Sequence, residues 1–429
     1  MLDWQTMTFR AAGIVLIDCE HRTPVATECG FPYVAIPQMK NGRIDFATAR
    51  RISQYDFESW TKKAKPRPHD VVLSRRTNPG VTATFGTNCE FALGQNLVIL
   101  RSSGERVLPE FLRWLACSPE WWNQVEKYIN VGAIFNSLRC ADVPNFELLI
   151  PPKDEQRAIG SLLSALDNKI DLNGRMNVTL ETMARAIFKD WFVDFGPVRA
   201  KAEGRQPPGL APDIAALFPD ALDDDEKPTG WGQATLAAFA NVNPEVWSAT
   251  THPSEIEYVD LSNVKWGKIE ATQQLLWGDA PGRAQRVLRH GDTVVGTVRP
   301  GNGSYALISQ SNLTGSTGFA VLRAKASVSI PFIYFAATSQ SNIERLAHLA
   351  DGAAYPAVRP EVVLGTEVLR VPDAILGAFS GSVSTLLEQM AHNDAQSGTL
   401  AALRDLLLPK LMSGELRIRD AEALVSKAA

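Results

Sequence analysis

Residues 154–195 carry one helical pattern that is too long for an ordinary globular core. Apolar residues recur at Ile159, Leu163, Leu166, Ile170, Leu180, Ala184, Ile187 and Trp191. The steps alternate between three and four, which draws a single apolar seam along a helix. Asn173 and Asn177 stand on the same seam, and an amide there fixes register at some cost in stability. At 1.5 Å per residue such a helix is roughly 60 Å long. A strut of that length must bury its seam against a partner.

The partner lies in the same chain. The pattern returns 220 residues later, pairing Ile170 with Met390, Asn173 with Asn393, Asn177 with Ser397, Leu180 with Leu400, Ile187 with Leu407 and Trp191 with Leu411. Upstream, Gly132-Ala133 pairs with Gly352-Ala353, Phe135 with Tyr355 and Arg139 with Arg359. Further back the offset becomes 222, matching Asp70 with Asp292 and Leu100-Arg101 with Leu322-Arg323. A repeat this long means two whole domains rather than an array. The first strut has its midpoint near residue 175. If the two struts lie antiparallel about a local two-fold, Asn173 faces Ser397 and Asn177 faces Asn393. These four residues are the expected register set. Inserting about one turn into one strut would then lengthen the distance between the two blocks.

The expected fold class is α+β: two similar globular domains separated by two long helices that form an intramolecular antiparallel coiled coil. Short β-type runs such as Val71-Val72-Leu73 and Leu97-Val98-Ile99-Leu100 alternate with turns such as Asn78-Pro79-Gly80, without a regular βαβ rhythm. One helix is expected over residues 109–128, with Trp114, Leu115, Trp121 and Trp122 on its apolar side. Pro151-Pro152 closes the first block. The boundaries are a first block at 1–152, a long helix at 153–196 and a Gly- and Pro-punctuated linker at 197–230. A second block at 231–372, a second long helix at 373–416 and a loosely held tail at 417–429 complete the chain.

No run is long and apolar enough to span a membrane; the apolar segment 11–17 also fails as a signal peptide, because Arg10 is its only preceding cation and Asp18 replaces the small residue a cleavage site would need. The five cysteines all fall in the first block with no CxxC spacing. That distribution suits reduced, buried thiols in the cytoplasm. A net charge of −4 does not announce a nucleic-acid binder, but the distribution does more. Between Lys40 and Arg76 there are ten cations against four acids. A thinner basic set, Lys265, Lys268, Arg283, Arg286, Arg289 and Arg299, occupies the corresponding place in the second block. One basic cluster is usually solvated surface; two at matching places in two repeats suggest phosphate contacts.

No HExxH, zinc spacing, phosphate-binding loop or nucleophile elbow occurs. No catalytic residues and no metal ligands are assigned. Pro219-Asp220 with Asp225-Glu226-Lys227 superficially resembles a metal-nuclease string, but it sits in the Pro-flanked linker with no strands to present it. A nuclease using those acids and a protein-binding scaffold are the competing functions. The DNA-binding candidates are Lys62, Lys63, Lys65, Arg67, Arg75, Arg76 and Asn78 in the first block. In the second they are Arg283, Arg286, Arg299, Asn302, Ser304 and Tyr305.

Several strings resemble the DNA specificity subunit of Type I restriction-modification systems. They are Ile150-Pro151-Pro152 with Glu155-Gln156 and Ile159, then residues 188–196 (FKDWFVDFG) and Pro197-Val198-Arg199-Ala200-Lys201. Leu217-Phe218-Pro219-Asp220, Gly230-Trp231 and residues 400–416 (LAALRDLLLPKLMSGEL) also fit. The resemblance covers the whole length, including the duplication. It implies two target-recognition domains, each reading half of a split double-stranded DNA site, and a chain that is not itself an enzyme. It also implies partner subunits: a methyltransferase that modifies adenine N6 with S-adenosylmethionine, and a restriction subunit that translocates DNA with ATP and Mg²⁺. The Asn/Asp-Pro-Pro-Tyr/Phe motif of adenine methyltransferases is absent here, which agrees with that division of labour. The flipped base would enter the partner.

Overall fold

A computed structural model describes residues 4–86, 89–132 and 135–428. Ala133, one of the residues matched between the repeats, lies outside them. The chain forms two compact units by contact. One contains Met1–Asn173 and Ala395–Ala429, and the other Gly174–Asp394. Each long helix is therefore shared. The first runs Lys153–Phe192 and the second Asp373–Met412, 40 residues each. The class is α+β.

In the first unit a four-stranded antiparallel sheet runs in the order Ile14–Asp18, Leu97–Ser102, Val71–Ser74, Thr82–Ala83. Ile99 pairs with Ile17 on one side and Val72 on the other. The central strands read as continuous apolar runs because both faces are covered. Val71, Leu73, Val98 and Leu100 pack with Phe111, Trp114 and Trp121. Val72, Leu97 and Ile99 point the other way, onto Val34 and Phe91, as strand alternation requires. A second sheet orders Arg50–Ile52, Phe31–Val34 and Ala92–Leu93. Gln5–Thr8 pairs with Glu147–Ile150 and ties the start of the block to its end.

The helix expected over 109–128 is broken. A 3-10 turn at Pro109–Phe111 leads into Leu112–Leu115, and a separate helix spans Pro119–Tyr128. Proline at the first helical position has no N–H to continue the earlier ladder. Ser118 caps the new helix by accepting from the Trp121 N–H at 3.2 Å. Trp114 and Trp121 are buried, whereas Trp122 is 38% exposed and is not a core residue.

The helical part of this unit buries Ile159, Leu163 and Leu166 with Leu400, Leu407 and Leu411. Asp167 accepts from Arg404 at 2.7 Å, and Asn173 donates to Ser397 Oγ at 3.3 Å and to Gln396 Oε1 at 2.9 Å. Six residues up one helix match seven down the other, so the pairing is antiparallel. The expected loose tail is instead a helix, Ile418–Ala428. Its Ala421 is buried, and Ile418 and Val425 pack on the same core. Its apolar residues recur at helical spacing, which the short, charged segment concealed.

The second unit repeats the plan. One antiparallel sheet orders Ala240–Val242, Phe319–Ala324, Thr293–Gly296 and Tyr305–Leu307. The other orders Gln273–Leu276, Glu255–Val259, Leu313–Ser316 and Ala284–Leu288. Gln233–Thr235 pairs with Glu367–Leu369, as the chain ends of the first block do. Here Asn393 donates to Asn177 Oδ1 at 2.8 Å, and Phe188 meets Phe379 at 6.0 Å between ring centres. These pairs again run antiparallel. Phe188, Phe192, Phe332, Phe335 and Phe379 form an aromatic core, with Phe192 edge-on to Phe379 at 4.9 Å.

The segment expected as a linker is part of this core. It contains helices Gly196–Ala202 and Pro212–Ala215. Val198, Ala200, Phe218 and Trp231 are buried, and Trp191 meets Phe218 edge-on at 5.0 Å. Glycine and proline shape its turns, but the apolar residues between them supply the hydrophobic burial that docks it.

Candidate nucleic-acid interface

Both units present their cations on the same buried frame. Asp70, 2% exposed, accepts from Arg101 Nε and Nη2 at 2.8 and 2.7 Å and from the Arg67 N–H at 2.7 Å. Asp292, 1% exposed, accepts from Arg323 Nε and Nη2 at 2.8 and 2.7 Å and from the Arg289 N–H at 2.8 Å. The hydrogen bonds to Asp70 and Asp292 raise the Arg101 and Arg323 guanidinium pKa above the usual value. In each case the carboxylate pins the backbone of a loop at an arginine; Arg67 is exposed, and Arg289 pairs with Glu245 at 2.6 Å.

In the first unit Lys62, Arg67, Arg76 and Asn78 are exposed, and none of their side chains has an ion-pair partner among the described residues. Thr77, between the exposed Arg76 and Asn78, has φ 63°, a left-handed kink. Lys63 donates to the Cys19 carbonyl at 3.0 Å. Lys65 lies 5.0 Å from the Phe57 ring centre and 3.8 Å from Glu90. Arg75 is half-buried, 3.7 Å from Asp18. Arg139 pairs locally with Asp142 at 3.2 Å.

In the second unit Arg283 pairs with Asp260 at 2.9 Å and donates to Tyr258 Oη at 3.1 Å. Burial alone would raise the Asp260 carboxyl. Hydrogen bonds from Ser262, Tyr258 and Arg283 outweigh it and hold the group at about 2. Arg286 is half-buried, and desolvation lowers its guanidinium pKa. Arg299, at φ 48°, lies 5.0 Å from the Tyr355 ring centre and donates to the Ala354 carbonyl at 2.8 Å. Asn302 is exposed in the turn Pro300–Asn302.

Two candidates face inward. Ser304 and Tyr305 are each 6% exposed. They lie at the start of a strand whose Tyr305 pairs with Val295, and Tyr305 Oη accepts from Arg185 at 3.4 Å. Neither side chain offers a surface to a DNA groove, so both leave the candidate set. On the neighbouring hairpin the sequence reading counted Lys265 and Lys268 in the basic set but left them out of the candidates, and it passed over Trp266 between them. Extending the repeat by aligning Asn41-Gly42 with Trp266-Gly267 would have exposed them.

The acids of the former linker are paired with cations: Asp220 with Lys201 at 2.8 Å, Glu226 with Arg199 at 3.3 Å and Asp225 with Lys227 at 3.4 Å. Among the described residues one group, Asp18, Cys19 and His21, brings metal-ligand atoms within 4.8 Å of one another. Burial, then the Asp18 charge, raises the Cys19 thiol pKa. With Arg75 beside the same carboxylate, the cluster resembles an ion-pair network more than a coordination sphere. No described helix is long and apolar enough to cross a membrane.

Residues 19–182 match the family model described as Type I restriction modification DNA specificity domain. Over most of its length the chain is similar to specificity subunits of Type I restriction enzymes. It is 25% identical over 384 residues to the Type I restriction enzyme HindI specificity subunit of Haemophilus influenzae, covering 76% of this chain and 81% of that one. It is 22% identical over 421 residues to the Type I restriction enzyme MjaIX specificity subunit of Methanocaldococcus jannaschii, covering 91% and 90%. The S subunit from M. genitalium has the same fold, with a TM-score of 0.56 at 15% identity over 96% of each chain. The match to the specificity domain includes the Asp70 frame and its basic loop.

Proposed function

We propose that this chain is the DNA-reading subunit of a Type I restriction-modification enzyme, with one unit for each half of a bipartite target. The observation that carries this reading is the twice-built frame, Asp70 with Arg101 and Asp292 with Arg323, which holds the backbone of Arg67 in one unit and of Arg289 in the other. Exposed cations set position on phosphates, and polar side chains beside them read base edges. Lys62, Lys63, Lys65, Arg67, Arg75, Arg76 and Asn78 serve one half-site. Arg283, Arg286, Arg299 and Asn302 serve the other. Asn173, Asn177, Asn393 and Ser397 set the helix register.

Catalysis belongs to partner subunits in this reading. A modification subunit would methylate adenine with S-adenosylmethionine, and a restriction subunit would use ATP and Mg²⁺. The assembly would work in the cytoplasm, where the five unpaired cysteines remain thiols. The test is to map methylated adenines genome-wide with and without this chain. Loss of one two-part motif is expected. An unchanged methylation map would overturn the assignment.

A further inference from the structure

The chain builds the same hairpin twice, and the copies differ at the tip. In the first unit Asn41-Gly42 joins Met39–Lys40 to Arg43–Ile44, with φ values of 48° and 71°. In the second unit Trp266-Gly267 joins Val264–Lys265 to Lys268–Ile269, with φ values of 47° and 88°. Two successive left-handed residues are the mark of a type I′ turn, for which Asn-Gly is the favoured pair. Asparagine tolerates that conformation, and a bulky aromatic residue is a true outlier there. The first hairpin thus acts as an internal control: the same turn is made without strain when the tip residue is Asn.

The strained tryptophan is held in place rather than buried. Its N–H donates to the Gly303 carbonyl at 2.7 Å, and the next N–H donates to the Tyr305 carbonyl at 2.9 Å. Its ring lies against Gly303, where an added Cβ would come within 2.6 Å of it, and meets Tyr305 edge-on at 6.0 Å. Even so, Trp266 is 52% exposed.

The charges at the two tips differ as well. Lys40 is paired with Asp45 at 2.8 Å, and Arg43 with Asp171 at 2.8 Å. Lys265 and Lys268 face each other across the strands, where like charges repel. Neither forms an ion pair among the described residues, although Lys268 acts through space on Asp394. Asn302 and Arg299 belong to the turn that ends under the Trp266 ring.

We propose that Trp266 contacts duplex DNA in the half-site of the second unit, with Lys265 and Lys268 on flanking phosphates. This rests on the DNA-reading assignment above. An aromatic face between cations suits a base or sugar flanked by phosphates. Two unpaired lysines at the tip favour an anionic polymer over an apolar protein surface.

The test uses the full chain assembled with its modification subunit and a duplex carrying the mapped target. Trp266→Asn should lower target affinity roughly 5- to 150-fold, the range for losing one aromatic contact with a base. Its salt slope should stay unchanged and its melting temperature should stay level or rise. Lys265→Gln with Lys268→Gln should instead reduce the slope of log K against log salt by roughly 0.9 per residue. Trp266→Asn binding within twofold of wild type overturns the proposal. So does loss of association with the modification subunit in its place, which would make the tip a protein contact. If the wild-type assembly does not distinguish target from random duplex, the DNA-reading assignment itself fails, and this proposal falls with it.

Discussion

Arg323 holds Asp292 through two nitrogens, at 2.8 and 2.7 Å, in the interior of the second unit. Arg101 holds Asp70 at the same two distances in the first. Each pair stitches a central strand to the loop that carries the cations. Removing one partner leaves the other charge buried and uncompensated, which costs on the order of 3–5 kcal/mol. Arg323→Ala should therefore lower the urea midpoint of the second unit strongly. Arg205→Ala, which removes a surface partner of Glu203, should cost no more than about 1 kcal/mol. Equal effects would show that the buried pair is not what fixes the loop.

The exposed cations make a different prediction, about binding alone. Lys62→Gln, Arg67→Gln and Arg76→Gln should each weaken DNA binding and reduce the salt slope by roughly 0.9. Ser304→Ala should leave both unchanged, because its side chain lies inside the protein. Fluorescence anisotropy across a salt series reads both quantities.

Much of this was legible in the sequence, for reasons specific to each residue. Asp70 and Asp292 were matched by offset, and the matching arginines came with them, because duplication preserves register through a paired core. The apolar seam was legible because a strict helical period survives for 40 residues. Ser304 and Tyr305 were misread because composition marks a polar loop but not which side of it turns inward. Val198 and Phe218 were hidden by the glycines and prolines around them, which report turns and say nothing of docking. Ser118-Pro119 signalled the break in the 109–128 helix, but the aromatic periodicity across it was stronger.

The helix pair yields a third prediction. Asn393, 2% exposed, donates to Asn177 Oδ1 at 2.8 Å, and Asn177 Nδ2 donates to Asp394 at 3.0 Å and to the Met390 carbonyl at 3.1 Å. Asn177→Ala removes an acceptor from a buried amide and should cost about 1–3 kcal/mol. Replacing both Asn177 and Asn393 by Leu should cost less than the two single changes together, because the hydrogen bond between them is then lost once rather than counted twice. A double-mutant cycle by urea denaturation measures the difference. Strict additivity would mean that the two side chains do not act as a pair.

Asp260 makes the acid limb of stability testable. Its carboxyl sits at about 2 in the folded protein, lowered from 3.8 because hydrogen bonds from Ser262, Tyr258 and Arg283 outweigh desolvation. A group whose folded value is depressed binds its proton more readily when unfolded, so stability rises with pH across that window. Its contribution is complete above the unfolded value of 3.8 and is lost as pH falls through about 2. Asp260→Asn should therefore melt earlier than wild type at pH 5. The gap should close between pH 3.8 and about 2. Arg283→Gln removes one of the groups holding the carboxylate low, so it should narrow the gap at pH 5 and shift its closure to higher pH. A gap that persists unchanged below pH 2 would place the effect in packing rather than in the carboxylate charge.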